Sequence, residues 1–213
     1  MDFPARFFIT GTGTGVGKTI VTAILLSGLK YHYWKPIQSG MEEETDTSVI
    51  RRLSGLGPKY FIDEAYCLPK AASPHISAAA EGVEIEFTHL NLPAASPNII
   101  VEGAGGLLVP INHNRLIIDL ISHLQLPVII VAKSGLGTIN HTLLSLEALH
   151  KRRIPVLGVI MNGTINNDNR RAIEEYGRSP VLAEIEPLTV LNSTGLQEAF
   201  KKYFANSRWP DSR

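Results

Sequence analysis

The stretch Gly11–Thr19, GTGTGVGKT, decides how this chain is read. It follows the apolar run RFFIT at residues 6–10, whose aromatic and β-branched residues suit a buried strand. Helical spacing begins at Lys18. A strand, a glycine-rich loop and a Lys-Thr pair opening a helix form a phosphate-binding loop. Glycines let successive backbone N–H groups turn inward onto phosphate oxygens, and the helix start adds its positive dipole end. Lys18 would reach the outer phosphates, and the Thr19 hydroxyl would sit on a magnesium ion. The strict pattern has four residues between its framing glycines. Here Gly11 and Gly17 enclose five, so a bare motif search fails. A dinucleotide fingerprint accounts for Gly13 and Gly15 but not for the Lys-Thr that follows, which suits a nucleoside triphosphate.

Working outward, nearly continuous Val, Ile and Leu runs alternate with helical patterns. Strands are expected over FFIT ending at Thr10, YHYW ending near Lys35, and residues 98–102, 127–132, 155–162 and 181–185. Helices are expected over 18–29, 46–53, 117–124, 138–151 and 167–176. Strands apolar on both faces belong to a parallel sheet covered on both sides. The fold class is therefore α/β, doubly wound and mostly parallel, with helices on both faces. No linker or repeat interrupts residues 1–213, which read as one domain, with about 206–213 a frayed tail.

Composition narrows the function. Lys and Arg number 20, as do Asp and Glu, so the formal net charge is zero and no nucleic-acid partner is expected. The apolar runs fall well short of the ~18 residues a membrane helix needs. Residues 1–10 lack a basic region ahead of a long apolar stretch, so no signal peptide is expected. The single cysteine, Cys67, excludes an internal disulfide or a multi-cysteine zinc site, fits a reducing cytoplasm, and reads as a small buried residue.

In open parallel sheets, ligands bind beyond the carboxyl ends of strands. Glu102 ends NIIVE there and precedes GAGG, where glycines would bare the backbone to a substrate. A strand-end carboxylate is where phosphate-loop enzymes hold magnesium. Asp46 opens a helical run and, from spacing alone, reads equally as an N-cap or a metal group. Lys35 ahead of PIQSG is either a surface lysine or a second cation beside the phosphates. Gly135 and Gly137 precede a further helix start, another anion-binding feature, while His141 reads as structural.

Together these stretches resemble the dethiobiotin synthetases, enzymes with a P-loop NTPase-like fold that close a ureido ring in biotin biosynthesis. The matching residues are TGTGTGVGKT, KPIQSG, TDTSV, SPHISAAAEG, VEGAGGLLVP and GLGTINHTLLSLEAL, in family order from Thr10 to about Leu149, with a weaker match through GVIMN. The five-residue gap is that family's own spacing. The resemblance implies a cytoplasmic, homodimeric ligase that uses ATP, Mg2+, carbon dioxide and 7,8-diaminononanoate. It implies that Gly13, Thr14, Gly15, Val16, Gly17, Lys18 and Thr19 bind the ATP phosphates, with Thr14, Lys18 and Lys35 at the reacting groups. Thr19, Asp46 and Glu102 would hold the metal. Gly103, Ala104 and Gly105 would border the nucleotide, Asn162 would face the adenine, and Pro187 and Leu188 would line the base pocket. Lys35, Ser39, Gly105 and Asn140 would contact the diamino acid, partly across a dimer interface. Two departures stand out: Gly15 where some members carry Glu, and Gly163 where an acidic residue is often found. The rivals are a partition-type ATPase, which would carry a further lysine early in the loop, and a small-molecule kinase, which leaves GAGG and KPIQSG without a joint explanation.

Overall fold

The structure, a computed structural model, describes residues 3–41, 44–93 and 96–205. Its elements run β1 (Arg6–Gly11), α1 (Lys18–Leu29), β2 (His32–Trp34), β3 (Ile37–Ser39), α2 (Asp46–Ser54), β4 (Phe61–Ile62), β5 (Tyr66–Leu68), α3 (Pro74–Ala80), β6 (Ile99–Gly106), α4 (Ile117–Leu124), β7 (Val128–Lys133), α5 (Thr138–Lys151), β8 (Val156–Asn162), α6 (Asn167–Gly177), β9 (Val181–Ile185) and α7 (Ser193–Phe204). The tail expected at 206–213 lies outside the described residues.

One seven-stranded sheet has the order β4-β2-β6-β1-β7-β8-β9, and β3 and β5 pair beside it. Every paired strand is parallel. The period-two pleat sends successive side chains to opposite faces. Phe8, Val101, Ile130 and Val159 pack with α4, α5 and α6 on one face. Phe7, Ile9, Ile100, Ile129 and Ile160 pack with α1, α2 and α7 on the other. Both faces are buried, which is why the strands read as unbroken apolar runs rather than alternating ones.

The expected helix starts hold, and the long strands fall where the apolar runs are. The differences are at the small scale. β6 continues through GAGG to Gly106, four residues past the expected end. β3, β4 and β5 are two or three residues long, too short to show a period, and their parallel partners hold them in place. Cys67 lies in β5 and is exposed rather than buried, because this strand belongs to the two-stranded sheet.

Gly28, inside α1, lets α7 approach. A Cβ there would stand 2.2–2.4 Å from three ring carbons of Phe200. Gly to Ala in a helix normally gains up to ~1 kcal/mol. Here the overlap outweighs that gain, and Gly28→Ala is expected to destabilise the fold by about 1–3 kcal/mol in urea unfolding. A net gain in stability would show that α7 yields without cost.

Candidate active site

The strand order decides which residues meet. β2, β6 and β1 are neighbours, so their carboxyl ends lie side by side. Lys35 follows β2, Glu102 lies in β6, and the glycine loop follows β1. A cavity of about 400 Å3 opens there, bordered by Thr14, Gly15, Gly17, Lys18, Thr19, Lys35, Ser39, Asp46, Ala104 and Gly105. Ile20 and Ala72 complete the lining, and neither carries polar chemistry that a sequence search would pick out.

The loop's glycines have separate tasks. Gly17 is the N-cap of α1 at φ +97°, a left-handed conformation that a side chain would strain. A Cβ on Gly11 would fall 2.7 Å from the Val16 side chain, so that glycine admits a buried plug beneath the loop. GAGG also does something other than bare its backbone. A Cβ on Gly103 would meet the Phe8 ring at 2.7 Å, and one on Gly106 would meet the Gly11 carbonyl at 3.2 Å. These two positions seat β6 against β1, and only Ala104 and Gly105 border the cavity.

Four charged groups converge. Lys35 is only 4% exposed. Its ammonium donates to Asp46 Oδ2 and stands 3.8 Å from Glu102 Oε1. Thr19 Oγ1 donates to Asp46 Oδ1 at 2.6 Å, and Lys18 Nζ folds back to the Gly13 carbonyl at 3.2 Å. Asp46 is free for these contacts because it is not the helix cap. Thr45 caps α2, its hydroxyl accepting from the Ser48 N–H at 3.2 Å. Burial pushes the Asp46 carboxyl up, but the charge and hydrogen bond of Lys35, with Thr19 and Lys18, outweigh it and hold the pKa below its ordinary value. Burial lowers the Lys18 pKa; Glu102 opposes that and Lys35 adds to it. Glu102 is fully buried, and burial raises its pKa despite the opposing pull of Lys35. Neither of its oxygens has a partner at full hydrogen-bond geometry, and the nearby Thr22 hydroxyl also pulls its pKa down.

This donor set suits magnesium. The ion prefers hard oxygen ligands and is usually held by one or two carboxylates together with water and substrate phosphates. The contact between the Thr19 hydroxyl and Asp46 places two such donors together, and Glu102 has only the Lys35 ammonium, 3.8 Å away, as a cation beside it. Among the described residues, no cluster of three or more His, Cys, Asp or Glu could hold a metal.

Asn162, Asn140, Pro187 and Leu188 are not in that cavity's lining. Asn162 ends β8, where Ile185 of β9 pairs with it, and Pro187 and Leu188 follow β9 on the same side of the sheet. Asn140 is exposed on α5 and is not part of the cavity lining. A second cavity, of about 300 Å3, starts at Thr12–Thr14 and runs past Leu108, His141 and Leu144.

A family profile described as an AAA domain matches residues 5–194. The chain is 46% identical over 200 residues to the ATP-dependent dethiobiotin synthetase BioD of Brucella ovis, covering 94% of each chain. It is 52% identical over 191 residues to the biotin biosynthesis bifunctional protein BioCD of Bordetella avium. That match takes in 89% of this chain and 41% of the longer relative, so this chain spans less than half of that protein. Among solved structures, the septum site-determining protein MinD complexed with Mg-ADP from Pyrococcus horikoshii OT3 aligns with a TM-score of 0.51. It covers 95% of this chain and 90% of that one at 14% identity, a likeness of fold alone.

The raised Glu102 pKa sets a sign for stability. Relative to its ionised form, the protonated group contributes stability that is present below the unfolded pKa and lost as pH rises through the folded one. Glu102→Gln mimics the protonated form. It is expected to melt at or above the parent temperature at pH 8, by roughly 2–4 °C, with the difference shrinking at pH 5. A variant equally destabilised at both pH values would show that the ionised carboxylate is a net stabiliser.

Proposed function

This chain belongs to the ATP-dependent dethiobiotin synthetase family, and we propose that it closes the ureido ring of dethiobiotin from 7,8-diaminononanoate, carbon dioxide and ATP. The observation that carries the reading is the convergence of two buried lysines, Lys18 and Lys35, on one cavity with Asp46 and Thr19. A kinase acting on a neutral hydroxyl needs one phosphate-gripping cation and a base. Two cations suit an acceptor that is itself an anion.

One amine of the diamine captures carbon dioxide and loses a proton, giving a carbamate. A carbamate oxygen attacks the γ-phosphorus, ADP leaves, and a carbamic–phosphoric anhydride forms. The second amine attacks the carbonyl carbon and gives up a proton, the C–O bond breaks, and phosphate departs as the ring closes. The backbone of Gly13–Gly17, with Thr14 and Lys18, holds the triphosphate, while Lys35 orients the carbamate against it. Thr19, Asp46 and Glu102 would hold magnesium, which would supply charge neutralisation to the phosphates. Ser39, whose hydroxyl is buried and unpaired, and the backbone at Gly105 contact the diamine. Ala104 and Gly103 support the nucleotide side, and Asn162, Pro187 and Leu188 form the base side. The enzyme works in the cytoplasm.

The active form is a symmetric homodimer. Leu108 is 62% exposed, Leu144 56%, and Leu136 is entirely exposed. Leu108 and Leu144 line the second cavity, which begins at the phosphate loop. A second copy covering these side chains buries their apolar surface and brings the exposed Asn140 of its own α5 toward the substrate.

Two measurements test this reading. Phosphate release is expected to require both the diamine and bicarbonate, and Lys35→Ala is expected to cut turnover at least ~100-fold while largely sparing ATP binding. With oxygen-labelled bicarbonate under conditions that limit exchange with water, one labelled oxygen is expected in the released phosphate. Unlabelled phosphate alongside a labelled ring would exclude the carbamate as phosphoryl acceptor. For assembly, light scattering is expected to show a dimer at working concentration, and a fully active monomer would sink the interface.

A further inference from the structure

The phosphate loop is held from behind by a side chain 146 residues away along the chain. Asn162, at the end of β8, donates from Nδ2 to the Val16 carbonyl at 3.0 Å. Its amide also lies against Gly17, where a Cβ would stand 2.0 Å from Nδ2 and 2.9 Å from Cγ. Gly17 is thus glycine for two reasons, its φ of +97° and the closeness of this amide. The Val16 side chain is buried beneath the loop, so both ends of that residue are tied down.

The consequence follows from peptide geometry. In a planar trans peptide the C=O and the next N–H point in opposite directions. A Val16 carbonyl turned toward Asn162 therefore sends the Gly17 N–H away from Asn162, and Gly17 borders the cavity where the phosphates are assigned. Without the clasp, the Val16–Gly17 peptide can rotate and present a carbonyl to an anion instead. The carbonyl can only accept, so the amide nitrogen must face it, leaving Oδ1 and the second N–H of Asn162 for other contacts.

We propose that Asn162 is a positioning residue for the triphosphate, holding the Val16–Gly17 peptide so that the Gly17 N–H faces the phosphate oxygens. The proposal rests on the nucleotide-binding reading above and adds to it. A residue that only meets the base has no effect on a ligand without one.

Inorganic tripolyphosphate with magnesium is that ligand. Calorimetry on the full chain would compare it with ATP and with adenosine for the wild type, Asn162→Ala and Asn162→Ser. Serine is the second variant should the alanine protein melt early, since its hydroxyl is too short to reach Val16. Tripolyphosphate is expected to bind both variants about three- to tenfold more weakly, the range of one lost hydrogen bond. In isotope-labelled protein, tripolyphosphate is expected to move the Gly17 amide proton downfield in the wild type and much less in the variants. If tripolyphosphate binds the variants as tightly as the wild type while ATP or adenosine weakens, Asn162 serves the base alone and the proposal is overturned. A Gly17 amide proton that does not respond in the wild type overturns it as well. Neither reading uses the diamine or bicarbonate. A chain with an intact clasp effect but no diamine-dependent phosphate release would leave this proposal standing and remove the ring-closing one.

Discussion

Lys35 is a buried ammonium, and a buried charge is tolerated only when it is paired. Its two counterions come from different parts of the chain, Asp46 in the first turn of α2 and Glu102 in β6. That requirement ties α2 and β6 to the end of β2. It also explains a local detail: Thr45 takes the capping duty, so the Asp46 carboxylate can turn inward to Lys35 and Thr19. A helix that used Asp46 as its cap would leave Lys35 with Glu102 alone at 3.8 Å.

The same region depends on close backbone approach. Gly106 pairs with Gly11 past a register shift, and a side chain on Gly106 would crowd the Gly11 carbonyl. β6 therefore supports the loop as well as carrying the Glu102 carboxylate. Phe8 fills the space beside Gly103, so the apolar core extends up to the layer of charge. The low-polarity surroundings raise the Glu102 pKa and lower that of Lys18. Fixed charges in such a setting act on developing charge without first reorganising solvent.

The MinD likeness shows how far the scaffold goes without the chemistry. One fold serves proteins with different tasks, so this likeness speaks of the scaffold alone. The pairing of a second lysine with the loop lysine over one cavity lies beyond what that likeness covers. That pairing is a property of side chains, and fold comparison at 14% identity does not resolve it.

The sequence by itself determined the fold class, the starts of the helices at Lys18, Asp46, Ile117, Thr138 and Asn167, and the phosphate loop. These are local properties, written in apolar runs, helical spacing and a glycine pattern within a few residues of each other. It also singled out Lys18, Lys35, Asp46 and Glu102 as candidates, though spacing left Asp46 between cap and metal group. The structure removed the cap reading, because the Thr45 hydroxyl, not Asp46, reaches the Ser48 N–H. It alone placed β6 between β1 and β2, bringing Lys35 and Glu102 together across 67 residues of chain. It alone turned Gly103 and Gly106 from an open floor into packing positions, and linked Asn162 to Val16. Strand order and close approach arise from how distant segments pack, and no local pattern encodes them.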